Sequence, residues 1–397
     1  MQTLRDREGD ALLALLGNLF DPRPGRDSRY RFPHVAADGA ASPEQLRLRL
    51  EQALREPGEP LLLYVATHGE QGDSERENRV VLWGGFTLST ADFAGWIDEL
   101  QPRRSLVMLN TACYSGGFME MLFTDAEPSR GPAKVTRCGL FAATEDQVAS
   151  GCDPDPRRRD GEGYGRYVLR ALRGEDEHGQ PLPREQLDYD GDGRISLLEA
   201  HTRARIATDS FDIPTTTSER WLRQQAKRTG KSAEVSLPEE QAVITALGAR
   251  LGVADAQAAT ALLRQRDDSF ERQSETWHEL DDRANDAAED LRIALLERWP
   301  VLDDPWHPDH ASELAKNREE IAAFLAGSSL TAAYRASQAA SDSAAELSDD
   351  RMVQVSAARR LVRAYETVEL ARHLKAKGGR AWKKYQELLA CERALAR

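Results

Sequence analysis

Hydrophobic positions fall into two regimes along the chain. Up to about residue 225 they come in short unbroken runs. Beyond about residue 240 they come at helical spacing. Leu61-Leu62-Leu63-Tyr64-Val65, Leu106-Val107-Met108-Leu109 and the stretch 138–143 are too short for helices and are bounded by polar turns, which is the pattern of buried strands. Val80-Val81-Leu82-Trp83 and Phe86-Thr87-Leu88, hinged on Gly84-Gly85, predict a hairpin. Between the runs lie helix signals. A short helix is expected over 10–19. Ser42 and Pro43 read as the cap and first turn of a helix ending near Leu54, and Ser89 caps another ending at Leu100. Residues 116–123 and 164–172 complete the set.

Strands alternating with helices predict an α/β unit with a parallel sheet between helical layers. In such sheets the reactive groups gather beyond the carboxyl ends of the strands. From about residue 240 strand signals stop, and pairs such as Leu291/Leu295 and Leu361/Tyr365 mark helices broken at Pro300, Pro305, Pro308, Gly327 and Gly378-Gly379. The expected division is an N-terminal segment 1–42, an α/β domain 43–225 and an all-helical C-terminal domain 226–397. Trp277, Trp299, Trp306 and Trp382 read as core aromatics of that helical part.

Composition narrows the function classes. The chain has 397 residues and a net charge of -13, which argues against nucleic acid as a ligand and suits basic peptides. No run approaches the roughly 20 apolar residues of a membrane helix, and the N-terminus has no secretory pattern. Cys113, Cys138, Cys152 and Cys391 show no metal-ligand spacing, so neither a disulfide framework nor a zinc site is expected, and a reducing cytoplasm fits best. His307 and His310 lack a third ligand nearby and read as part of an interhelix turn.

Two of the strand runs end in reactive side chains. The first leads into Thr67-His68-Gly69, the second into Thr111-Ala112-Cys113-Tyr114-Ser115-Gly116-Gly117. A thiol attacks as the thiolate, and a neighbouring imidazole accepts or returns its proton. The small residues Ser115-Gly116-Gly117 allow close backbone approach. The N–H groups of Gly69 and Cys113 are candidate donors to the oxyanion of a tetrahedral intermediate.

His68-Gly69 and Ala112-Cys113-Tyr114-Ser115-Gly116, each after an apolar strand and in this order, resemble the motifs of the caspase-like cysteine peptidases: caspases, metacaspases, legumains and their bacterial relatives. The likeness covers about residues 40–225. It implies a caspase-like parallel-sheet sandwich with helices on both faces, followed here by an all-helical C-terminal domain. It also implies a His68/Cys113 dyad cleaving protein substrates. Glu145-Asp146-Gln147 resembles a metacaspase stretch whose Asp binds a basic substrate side chain, so the resemblance assigns Asp146, with Glu145, to recognition of Arg or Lys. Thr111 stands where metacaspases carry a further Asp. The family's first strand has one candidate, Ala11-Leu12-Leu13-Ala14-Leu15-Leu16-Gly17, which looks at least as helical. Family members are often cut after the cysteine strand. The loop 124–137 holds Arg130, Lys134 and Arg137 as candidate processing sites, and Arg157-Arg158-Arg159 form another.

Residues 188–199 fit an EF-hand loop at its diagnostic positions. Asp188, Asp190 and Asp192 supply carboxylates, Gly193 the sharp turn, Arg194 a carbonyl, and Ser196 and Glu199 the last ligands. Pro181 and Pro183 disfavour an entering helix, so a lone loop binding Ca2+ is expected, as a structural staple or a switch. The reading is a cysteine endopeptidase kept as a zymogen, with no cofactor for catalysis. An activating protease or a regulator would dock on the helical domain. The alternative is a calcium-binding interaction protein on an inactive caspase-like fold.

Overall fold

Leu106 and Met108 face one core, and Val107 and Leu109 face another. That alternation, every second residue to the same side of a strand, makes the sheet the middle layer of its unit. The computed structural model describes residues 2–5, 10–20, 28–31, 36–100, 102–151, 163–228, 230–304 and 306–394. They form two units. One holds the described residues of 1–36 together with 266–352, and the other holds 37–151, 163–265 and 353–394.

The strands are β1 (Gln2–Arg5), β2 (Ser28–Arg31), β3 (Leu61–Val65), β4 (Gly69–Glu70), β5 (Arg79–Val81), β6 (Thr87–Ser89), β7 (Leu106–Asn110), β8 (Arg137–Phe141) and β9 (Thr215–Thr216). The helices are α1 (Ala11–Leu19), α2 (Pro43–Arg55), α3 (Thr90–Leu100), α4 (Tyr164–Arg173), α5 (Leu197–Ala207), α6 (Thr217–Gln225), α7 (Pro238–Leu251), α8 (Ala256–Leu296), α9 (His310–Lys316), α10 (Arg318–Gly327), α11 (Ser329–Lys377) and α12 (Gly379–Glu392).

The central sheet runs β3-β7-β8-β9. β3, β7 and β8 are parallel, and β9 is antiparallel to β8. One face is covered by α2 and α3 through Leu50, Leu54, Phe93 and Ile97. The other is covered by α4 and α5 and, from the far end of the chain, by Tyr385 and Leu388 of α12. β7 and β8 are buried throughout, as their uninterrupted apolar runs require. β3 is an edge strand: Leu61, Leu63 and Val65 pack inward while Leu62 and Tyr64 are exposed. Its apolar run resembles that of β7 but does not mean burial on both faces. β4, β5 and β6 form a separate antiparallel sheet, which contains the expected hairpin.

Several helix starts follow local chemistry. The Ser42 hydroxyl accepts from the Gln45 N–H and Pro43 opens α2; the Ser89 hydroxyl accepts from the Asp92 N–H at α3. The stretch expected as a helix over 116–123 is instead a run of 3₁₀ turns, Ser115–Leu122, because Tyr114 enters it in the left-handed region (φ 56°) and the chain turns tightly.

The helical C-terminal region is divided between the units. Residues 353–394 belong with the sheet, and 266–352 share a unit with the N-terminal segment. In that second unit α1, which is helical and forms no part of the central sheet, packs Leu16 and Leu19 with Leu291, Leu295, Trp299, Ile321 and Leu325. Trp299 is core as expected, whereas Trp306 is 82% exposed. The cysteines hold the largest departure from expectation. Cys138 on β8 and Cys391 on α12 form a disulfide across 253 residues of sequence. Sequence spacing hides such a pair, since only the fold brings β8 under α12. The cysteine content therefore carries no argument for a reducing compartment. Cys152 lies outside the described residues.

Candidate functional site

Val65 at the end of β3 is in register with Asn110 at the end of β7. His68 stands three residues beyond Val65, and Cys113 three residues beyond Asn110. Two adjacent parallel strands thus carry the backbones of His68 and Cys113 to the same end of the sheet, each three residues beyond the registered pair. Main-chain bonds continue the match past the strand ends: the Thr111 N–H donates to Val65 O at 2.9 Å, and the Val81 N–H on β5 donates to His68 O at 2.9 Å. His68 is exposed and Cys113 half-buried. A Cβ on Gly69 would stand 2.0 Å from the Cys113 carbonyl oxygen, so only glycine lets the two loops lie against each other.

The loop after Cys113 is built to the same closeness. A Cβ on Gly116 would meet the Glu145 nitrogen at 2.6 Å, and one on Gly117 would meet Glu75 O at 2.5 Å. The Ser115 hydroxyl accepts from the Ala143 N–H. The Tyr114 N–H donates to Gln147 O at 2.7 Å, which ties the cysteine loop to the loop after β8. At the thiol itself, the Ala149 N–H donates to Sγ of Cys113 at 3.3 Å.

Asn78 organises all of this and had no signature in the sequence. It is buried, and its side-chain amide donates to Tyr114 O at 3.1 Å and Glu145 O at 2.7 Å while its Oδ1 accepts from the Gly72 N–H. One asparagine in a polar loop offers no periodicity or motif; it becomes legible only when three loops converge on it.

The expected specificity residues lie in the loop beside the thiol. Asp146 is exposed, with Oδ1 accepting from the Thr144 hydroxyl at 2.7 Å; Glu145 is half-buried. Nearby, buried Glu120 is paired with Arg220, yet burial outweighs that pairing and raises its carboxyl above the ordinary range, with Glu75 and Glu145 adding repulsion. Thr111 donates its hydroxyl to Val65 O and so locks β7 to β3.

The candidate processing residues separate. Arg130 and Lys134 are exposed, and Arg130 pairs with Asp125. Arg137 is 2% exposed and opens β8, donating to Ala94 O, Phe123 O and the Asp98 carboxylate. It is a buried anchor between α3 and the sheet, and cleavage there would require unfolding β8. The loop before it is closed by the Phe123–Pro132 bridge. Arg157-Arg158-Arg159 lie outside the described residues.

The acidic loop brings its three aspartates together. Carboxylate oxygens of Asp188, Asp190 and Asp192 lie within 4.8 Å of one another. The Asp188 carboxylate accepts from the Gly191 and Gly193 N–H groups, and Gly193 turns at φ 83°. The Arg194 N–H donates to Asp192. Glu199 is buried and turned toward the loop, accepting from the Tyr189 and Asp190 N–H groups. Its other oxygen accepts from Ser196, forming a capping box at the start of α5. No helix enters the loop: a 3₁₀ turn, Arg184–Gln186, precedes it.

Among the described residues no helix is long and apolar enough to cross a membrane. No protein-family model matches the chain, and no characterised protein matches it in sequence.

Proposed function

We propose that the chain is a caspase-like cysteine endopeptidase with a His68/Cys113 dyad. The observation that carries this is the equal reach of His68 and Cys113 beyond the registered ends of β3 and β7, with the Gly69 backbone lying on Cys113. In this reading His68 takes the thiol proton, Sγ attacks the scissile carbonyl carbon, and the same proton passes to the leaving amine. The N–H groups of Gly69 and Cys113 hold the oxyanion. Water, activated by His68, then hydrolyses the acyl-enzyme. Asp146 and Glu145, beside the thiol loop, supply negative charge for a substrate Arg or Lys, in keeping with a chain of net charge -13.

The acidic loop fits a hard cation: three clustered carboxylates, a glycine turn and an inward-facing Glu199. Asp188, Asp190, Asp192 and Glu199, with Ser196 and the Arg194 carbonyl, would hold Ca2+, which when bound supplies charge neutralisation to the loop that starts α5. This loop is what favours the second reading, a calcium-dependent interaction protein on an inactive fold.

The test is a fluorogenic peptide panel with Arg, Lys, Asp or Asn before the cut, run with calcium and with chelator, alongside Cys113→Ala. Cleavage after Arg or Lys that disappears in the variant supports the peptidase. Silence in every arm, with a Cys113 no more reactive than an ordinary thiol, favours the second reading.

A further inference from the structure

We infer that Asp212 is a positioning residue for the nucleophile: it fixes the Ala149–Ser150 segment so that the Ala149 N–H stays on Sγ of Cys113. The inference rests on the reading of Cys113 as the nucleophile and adds to it a residue that neither motif contains.

Asp212 lies far along the chain from both motifs, in the connection between α5 and β9, and is fully buried. Among the described residues its carboxylate accepts four hydrogen bonds. Oδ1 takes the Ser150 N–H at 2.7 Å; Oδ2 takes the Ser150 hydroxyl at 2.7 Å, the Tyr164 N–H at 2.9 Å and the Ser210 hydroxyl at 2.9 Å. Two of the four come from Ser150, and the next residue back is Ala149, whose N–H reaches Sγ at 3.3 Å and whose carbonyl oxygen lies 3.7 Å from it. The path from carboxylate to sulfur therefore crosses one residue of chain.

The carboxylate is itself held from behind. Arg360 on α11 is buried and donates to the carbonyls of Thr208, Ser210 and Asp212 at 3.0, 3.2 and 2.8 Å. Three consecutive-turn carbonyls on one guanidinium leave the 208–212 segment little freedom, so the carboxylate it carries is a fixed point. Burial holds the Arg360 guanidinium down at about 9, with Asp212 opposing that shift. The consequence is chemical. An N–H aimed at sulfur favours the thiolate over the thiol, and its effect depends on the donor being kept in place.

Two roles for Asp212 predict opposite results. If its charge dominates, replacing it by Asn eases thiolate formation. If it positions Ala149, the same change loosens the donor and makes the thiolate harder to form. A mere latch would alter thermal stability and leave the thiol as it was.

The experiment is alkylation of the full-length protein by iodoacetamide from mildly acid to mildly alkaline pH, with the modified cysteine identified by mass. Wild type, Asp212→Asn, Ser150→Ala and a Cys113→Ala control are compared. The expected result is a rate at neutral pH lowered roughly tenfold in Asp212→Asn and severalfold in Ser150→Ala, with both profiles displaced to higher pH. Ser150→Ala keeps the main-chain bond to Asp212, so it reports even if Asp212→Asn does not fold. An unchanged profile, or one displaced to lower pH, overturns the inference while leaving the dyad standing. A wild-type Cys113 that reacts no faster than a thiol of the unfolded chain removes the nucleophile reading and the inference with it.

Discussion

Asn78 holds the carbonyl of Tyr114, the residue next to Cys113, at 3.1 Å from inside the protein. Tyr114 has a left-handed backbone (φ 56°), a conformation that costs a non-glycine residue energy unless its surroundings impose it. Asn78 is part of that imposition, and it bonds the Glu145 carbonyl and the Gly72 N–H as well. Asn78→Ala leaves three backbone groups without their partner and should cost about 2–4 kcal/mol, read by urea unfolding. Asn78→Asp should be worse at neutral pH, because an ionised carboxylate would face two carbonyls, and should recover partly in acid. On the proposed function, turnover should fall in both variants by more than the loss of folded protein explains.

The Cys138–Cys391 bond ties α12 to β8 at the buried side of the sheet. Reduction of the denatured chain should release two more thiols than titrate before reduction. Cys391→Ser should lower stability by about 3–5 kcal/mol, since the bond closes a very long loop in the unfolded chain. A thermal melt with and without reductant checks this. An equal melting temperature in both would mean that the packing of Tyr385 and Leu388 alone holds α12 in place.

The strands and the placement of His68 and Cys113 just beyond two of them could be read from sequence because each rests on contiguous residues: unbroken apolar runs for β3, β7 and β8, and a reactive residue shortly after two of them. Residues 188–199 were legible for the same reason, since a twelve-residue loop carries its own geometry. What could not be read depends on chain distant in sequence. Arg137 looked like a solvated processing site because its neighbours Pro132 and Lys134 are loop residues, yet α3 supplies Ala94 O and Asp98 to bury it. Leu62 and Tyr64 looked buried because a run of aliphatics does not say whether its strand lies at an edge. The assignment of 353–394 to the sheet unit, the disulfide and the hydrogen bonds of Asn78 and Asp212 all arise from contacts between segments that share no local pattern.

Glu392 makes a pH dependence that can be signed. It is fully buried; Oε1 accepts from the Thr217 hydroxyl and the Ser218 N–H, each at 2.6 Å, while Oε2 has no donor among the described residues. Burial raises its pKa from the ordinary 4.5 to about 7. The folded state therefore binds this proton more tightly than the unfolded one. The contribution is fully present below the unfolded value, declines as pH rises from there through about 7, and is absent above it. The shift corresponds to about 3 kcal/mol. Glu392→Gln should flatten that part of the stability profile, changing little in mild acid and raising the wild-type melting temperature at alkaline pH. A variant that tracks wild type at every pH would show that Glu392 does not titrate in this window.

Calcium should act on the unit that contains His68 and Cys113. Arg393, just past α12, approaches Asp190 at 3.8 Å and pairs with Glu239, so a cation already stands at the rim of the acidic loop. A bound Ca2+ would replace that weak contact with direct neutralisation of three clustered carboxylates and would brace the capping box at the start of α5. Saturation at a hundredfold excess over Kd should stabilise the protein by about 2.7 kcal/mol, seen as a rise in melting temperature that magnesium does not reproduce at equal concentration. Asp188→Asn and Glu199→Gln should abolish the rise. Arg393→Gln should preserve it and tighten binding, because it removes a competing charge. The peptidase assay then separates staple from switch. If calcium raises the melting temperature while cleavage by intact protein is the same with chelator, the loop is structural. If cleavage disappears with chelator well below the unfolding temperature, occupancy of the loop reaches the sheet edge where Cys113 sits.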